Sequence, residues 1–200
     1  MIQVMNTRIL AGLFLSLAGC AITSVEPLNV PLAYAPPSDP ATLPPPPSCP
    51  ALARIDATDA RKDPVLGVRS LEGKPLQADV TASNDPAVWV RDGVLANLHR
   101  DGFVTAGAGP VLAIELRNLR TTESVWHRAG YDARIDLGAS LRTPGGRVCW
   151  SASLAGKGGN YGYAGSIVNY RETLNQALDR AMQSLVDAPS FGPALCQCSD

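Results

Sequence analysis

Between residues 131 and 142 apolar and polar side chains alternate without a break. Ala133, Ile135, Leu137, Ala139 and Leu141 fall on one face; Asp132, Arg134, Asp136, Ser140 and Arg142 fall on the other. A period of two marks a strand with one buried and one wet face. The charged set reads as a solvated sheet face with cross-strand pairs. After the turn Thr143-Pro144-Gly145-Gly146 the alternation resumes with Val148, Trp150, Ala152 and Leu154. A two-residue turn would pair Leu141 with Trp150, and a four-residue turn would pair Leu141 with Val148. A three-residue turn would need a bulge to keep apolar against apolar. The same period predicts strands over 51–58, 76–82 (more weakly) and 111–119, with a turn-like stretch from Asp59 to Gly67.

Two segments carry the helical period instead. In the first, Asp85 is a candidate N-cap, Pro86 takes the first helical position, and Ala87, Val90, Val94 and Leu98 form one stripe before Asp101-Gly102. In the second, Asn169 is a candidate cap with Glu172 three residues on, and Leu174, Ala177, Leu178, Ala181, Met182 and Leu185 form the stripe before Pro189. Strands, helix, three strands, helix predict one α+β domain. The expected form is a mostly antiparallel sheet with two helices packed on one face.

The N-terminus belongs to a different class. Arg8 is followed by an apolar run from Ile9 to Leu17, shorter than the roughly 20 residues a spanning helix needs. It fits the apolar region of a secretory signal peptide. The run ends in Leu17-Ala18-Gly19-Cys20, the lipobox pattern of bacterial lipoproteins, in which the Cys20 thiol takes the lipid. The expected organisation is a signal peptide over 1–19, a lipidated N-terminus and Pro-rich tether over 20–48, and a periplasmic domain over 49–200. From Pro27 to Pro50 there are ten prolines, four of them consecutive at 44–47, a composition that builds extended chain and no core. Within it, Val30-Pro31-Leu32-Ala33-Tyr34 is apolar enough to dock back on the domain. Ala21 and Ile22 after the lipidated position favour the outer membrane, by analogy with lipoprotein sorting.

Composition narrows the chemistry. The chain has 17 basic and 18 acidic residues. Loss of 1–19 removes Arg8 alone, so the mature balance is 16 against 18, or −2. No basic face calls for nucleic acid. Four cysteines follow Cys20: Cys49, Cys149, Cys196 and Cys198. In an oxidising compartment they are disulfide candidates with three possible connectivities. A Cys196–Cys198 pair would strain its short loop, so Cys49 and Cys149 are each expected to bond one of the two. His99 and His127 stand at no metal-ligand spacing from any cysteine, and no metal or other cofactor is expected. His99 fits a helix-end position, where positive charge is favourable. The stretch from Gly156 to Ser166, with Lys157 followed by Gly158 rather than Ser or Thr, fails the phosphate-loop pattern. It reads as a mobile connection on which Tyr161 and Tyr163 form a possible ligand loop for a sugar or peptide. No nucleophile elbow, triad or carboxylate pair is present, and no enzymatic activity is expected.

The order of short motifs resembles the YajG-type family of bacterial lipoproteins. These are Val-Pro-Leu-Ala-Tyr at 30–34, Asp59-Ala60-Arg61, Leu66-Gly67, Arg-Asp-Gly-Val-Leu at 91–95, Asp101-Gly102-Phe103 and Gly109-Pro110-Val111-Leu112. The resemblance spans roughly residues 20–190. More distantly, it extends to auxiliary lipoproteins of ABC transport systems. It implies an envelope lipoprotein and carries over no catalytic residue. The prolines at 44–47 and the four later cysteines depart from the pattern. The function expected is a membrane-anchored component that binds or scaffolds unidentified envelope protein. The alternatives are an auxiliary subunit of a lipid or solute ABC transporter, and a glycan-binding or enzymatic domain using the Tyr161–Tyr163 loop.

Overall fold

The computed structural model describes residues 25–37, 52–71, 76–105, 107, 109–125 and 129–198. In chain order the elements are β1 (Leu28–Val30), β2 (Arg54–Asp59), β3 (Val65–Leu71), β4 (Gln77–Ala82), α1 (Pro86–Arg100), β5 (Val111–Val125), β6 (Ala129–Arg142), β7 (Val148–Gly162), α2 (Ile167–Val186) and α3 (Phe191–Gln197). The architecture is α+β: a seven-stranded sheet in the order β1-β4-β3-β5-β6-β7, with β2 paired to β5 beside β3. The sheet is mixed. Its antiparallel meander β5-β6-β7 holds the long strands, but β1–β4, β2–β5 and β3–β5 are parallel. The mostly antiparallel sheet expected from the sequence holds for β3–β4, β5–β6 and β6–β7.

β5 is the spine. Its first half pairs with β2 at Arg54↔Val111 to Asp59↔Leu116, and its second half with β3 at Gly67↔Thr121 to Leu71↔Val125. The alternation that predicts a strand ending at Leu119 is interrupted by a bulge at Arg117, between Leu116 and Asn118. One extra residue restores the phase, so Leu112, Ile114 and Leu116 share a face with Leu119, Thr121, Glu123 and Val125. Opposite them run Leu141, Ala139, Leu137, Ile135, Ala133, Tyr131 and Ala129 of β6, all buried. A second bulge places Cys149 between the pairs Arg142↔Val148 and Leu141↔Trp150. Thr143 N–H bonds Arg147 at 2.9 Å, and Gly146 takes the left-handed φ of +85°. The turn is thus the three-residue kind, with the bulge that keeps Leu141 against Trp150.

All three helices lie on this apolar face, one more than the pattern shows. Asp85 caps α1 as expected, accepting from Ala87 N–H at 2.8 Å. α2 begins earlier than expected: Ser166, not Asn169, is its cap and accepts from Asn169 N–H. α2 packs mainly on β7, and the reason lies in two glycines. A Cβ at Gly156 or Gly158 would collide with backbone carbonyls of Ala177 or Thr173. The stretch expected to be a Gly/Tyr loop is therefore strand as far as Gly162, its glycines serving helix approach rather than mobility. Short α3, where an irregular tail is expected, docks Phe191 against Trp150 and Phe103, with ring centroids 5.3 and 5.7 Å away. Among the described residues no helix is long and apolar enough to cross a membrane.

Residues 28–34, assigned by sequence to the tether, are part of the folded unit. β1 pairs with β4, Val30 is fully buried, and Leu32 exchanges two hydrogen bonds with the Asn84 side chain at 2.7 and 2.8 Å. Tyr34 then enters between α1 and α2. Its hydroxyl donates to Asp179 at 2.6 Å and accepts from Asn97 at 2.7 Å. Burial and the neighbouring carboxylate push that phenol above its ordinary pKa.

Candidate functional site on the open sheet face

Among the described residues every helix lies on one side of the sheet, and none of them covers the other face. Its lower part, where β2 and β5 begin, forms a half-open trough of about 1530 Å³. Small residues make the floor: Ala113 on β5, Gly138 and Ser140 on β6, Ser151 and Ser153 on β7. β2 supplies one wall with Arg54, Asp56 and Thr58; the β6–β7 turn closes the end with Pro144, Gly146 and Val148. The Arg117 guanidinium lies flat over Gly138, where any Cβ would collide with it. From there it donates to Ser153 Oγ at 3.3 Å and pairs with Glu115 at 3.0 Å. Hydroxyls and guanidinium groups spread along extended backbone can hydrogen-bond a polar surface.

Charges on this face pair along single strands. Arg54–Asp56, Glu115–Arg117 and Arg134–Asp136 are each two residues apart, at 3.0, 3.0 and 3.1 Å. Between strands, Asn118 of β5 donates to Asp136 of β6 at 2.9 Å, and Arg120 reaches Asp63, in the connection between β2 and β3, at 2.8 Å. Pairs at this spacing arise because residues i and i+2 share a face. Exposed pairs of this kind add little to stability, so the face keeps its charges without being locked by them. Arg142 of the trough forms no ion pair among the described residues.

A second polar cluster lies inside the helix-covered face, at the far end of the sheet. Glu123 on β5 is fully buried. Arg69 of β3 pairs with it at 2.6 Å, Tyr170 of α2 donates to it at 2.8 Å, Tyr131 of β6 at 3.1 Å and Gly165 N–H at 2.5 Å. The single Tyr131 hydroxyl proton is shared between Glu123 and the Tyr163 carbonyl, while Ser166 N–H donates to its oxygen at 3.1 Å. A buried charge is tolerable only when paired and hydrogen-bonded, as this one is. Burial, followed by the Glu123 carboxylate, pushes the Tyr170 phenol far above its ordinary range. Burial also raises Tyr131. No strand pattern flags Glu123, because its partners Arg69 and Tyr170 lie 54 and 47 residues away.

The expected site residues separate. Tyr161 and Tyr163 stand in solvent at the Glu123 end, remote from the trough. Cys149 bonds Cys198, and Cys196 is disulfide-bonded as well. Sequence alternation places Cys149 on the polar face; the bulge turns it toward α3 on the apolar side, which is how it meets Cys198. Cys20, Cys49 and His127 lie outside the described residues. His99, at the end of α1, bonds Thr105 at 3.2 Å. Among the described residues no three His, Cys, Asp or Glu side chains are grouped to hold a metal ion.

No known family profile matches the chain, and no curated protein matches it. Among solved structures, the chain is similar to a protein of the DUF330 family from Xanthomonas campestris. The TM-score is 0.49 at 15% identity, over 84% of this chain and 94% of that one. It is also similar to an uncharacterised protein with a TM-score of 0.40 at 11% identity, over 80% and 95% of the two chains. Both are likenesses of chain course at low identity and bear on no activity. The likeness to YajG-type lipoproteins stays a resemblance of short motifs.

Proposed function

We propose that this chain is a lipid-anchored envelope protein, held by Cys20 and facing the periplasm from the outer membrane. Its α+β domain binds or scaffolds another envelope component without catalysing a reaction. The observation that carries this reading is the one-sided sheet: three helices cover one face, and the other presents a trough lined by hydroxyl and guanidinium groups. The Cys149–Cys198 bond suits an oxidising compartment.

The test is photo-crosslinking in cells, with the reactive group at Ser151 on the trough floor or at Glu172 on the outside of α2. A partner using the open face gives adducts from Ser151 alone, and Arg117→Glu abolishes them. Equal adducts from both positions, or none from Ser151, would sink the proposal.

A further inference from the structure

Eight large apolar or aromatic side chains are exposed among the described residues. Five of them stand at one end of the sheet: Leu76 before β4, Tyr161 and Tyr163 at the end of β7, and Ile167 and Val168 in the first turn of α2. Tyr161 is 79% exposed, Tyr163 90% and Val168 60%. The Tyr161 ring lies over Gly130, and Tyr163 is fixed through its carbonyl to Tyr131. The Tyr161 ring is therefore seated against β6 and the Tyr163 backbone is fixed, and both rings stand exposed among the described residues. Glu172, the acid nearest in sequence, accepts from Asn160 at 2.7 Å.

The first described residues of the chain lie at this same end. Arg69, whose guanidinium pairs with Glu123, also donates to the Glu26 carbonyl at 2.9 Å. A Cβ at Gly165, in the turn carrying Tyr163, would stand 2.9 Å from that guanidinium. The Glu26 segment and the tyrosine turn thus both meet the Arg69 guanidinium. Only six residues lead from Cys20 to Glu26, which span at most about 22 Å when fully extended.

We propose that Tyr161, Tyr163, Ile167 and Val168 form a surface that seats in the lipid–water interface of the membrane holding Cys20. This rests on the lipidation read above. Tyrosine is suited to the place, with an apolar ring for the acyl boundary and a hydroxyl for the headgroups. The short reach favours a bilayer over a protein partner, because the anchor keeps the patch at high effective concentration beside lipid. The domain then stands on its Glu123 end, and the trough, at the opposite end of the sheet, faces away from the membrane.

The chain has five tyrosines, so 3-fluorotyrosine labelling of the full protein provides its own reference. Protein purified from membranes is reconstituted in vesicles of phosphatidylethanolamine and phosphatidylglycerol, with and without a headgroup nitroxide lipid. Tyr161→Phe and Tyr163→Phe assign the two resonances, and intact mass reports the lipid on Cys20. The expected result is broadening of the Tyr161 and Tyr163 resonances, with those of Tyr34, Tyr131 and Tyr170 much less affected. A lipidated chain whose five resonances respond alike overturns the proposal and leaves the anchor standing. An unlipidated chain that still shows selective broadening supports the surface and removes the anchor. A shift of the same two resonances with protein concentration, without broadening by the nitroxide, overturns it in favour of a second copy of the chain.

Discussion

Glu123 shows what one residue decides. Its carboxylate has lost all water and gains in return one guanidinium, two phenols and a backbone N–H. Glu123→Gln keeps the shape and removes the charge, leaving Arg69 with no ionic partner in a nearly dry site. The expected cost is about 3–5 kcal/mol, read as a lower urea midpoint at unchanged slope. Tyr170 ties the same cluster to alkaline pH. Its folded-state pKa is raised, so the native chain keeps a proton that the unfolded chain releases near the ordinary value of 10.0. The unfolded state then binds fewer protons. The contribution is complete below that value and falls as pH rises past it, by about 1.4 kcal/mol per pH unit. Tyr170→Phe should flatten this slope in denaturation midpoints taken across the alkaline range. An unchanged slope would place the titration elsewhere.

At the scale of elements, the hydrophobic pattern locates a strand well and its interruptions poorly. Val111–Leu119 is legible as a strand, but the residues after Arg117 run out of phase until the bulge is seen. β5 therefore continues six residues past Leu119, to Val125. The glycines of β7 carry the same lesson. Gly156, Gly158 and Gly159 suggest a loop because glycine costs entropy in a strand. Here two of them are the only residue type that lets α2 settle onto the sheet. Gly158→Val should lift the helix from β7 and cost on the order of 1–3 kcal/mol or more. Amide exchange of α2 would quicken while β5 stays protected. Uniform exchange behaviour would show that the close approach is dispensable. The partner of Cys149 was legible as one of two cysteines; the choice of Cys198 follows from a bulge and a helix that the tail's composition does not announce.

The whole molecule is closed by its own N-terminal segment. Tyr34 fills the crossing of α1 and α2, Asn97 and Asp179 satisfy its hydroxyl, and Asn175 holds the Ala33 carbonyl at 3.3 Å while accepting from Trp89 at 3.0 Å. Gly93 makes the space, since a Cβ there would press on Leu178 and the Tyr34 ring. Gly93→Ala is expected to cost about 1–3 kcal/mol through overpacking, despite the better helix propensity of alanine. Exchange protection should fall first in β1 and at Leu32. A gain in stability would mean that the crossing relaxes without loss.

From the sequence alone came what local periodicity and covalent chemistry govern. These are the α+β class, the β6–β7 hairpin, the cap at Asp85, the apolar stripe of α2, and Val30–Tyr34 as a segment ready to dock. Each depends on neighbours within a few residues, where a period of 2 or 3.6 and a proline or glycine carry the information. Tertiary structure decided the rest. It set the parallel pairing of β2 and β3 along one spine, the burial of Glu123, the approach of α2 over Gly156 and Gly158, and the gathering of the Glu26 segment and the tyrosine turn at one end. Those depend on contacts well beyond one turn or hairpin, from Gly158 against Thr173 to Arg69 against Glu123, 54 positions away, and no local pattern records which distant partner will satisfy a charge or fill a space.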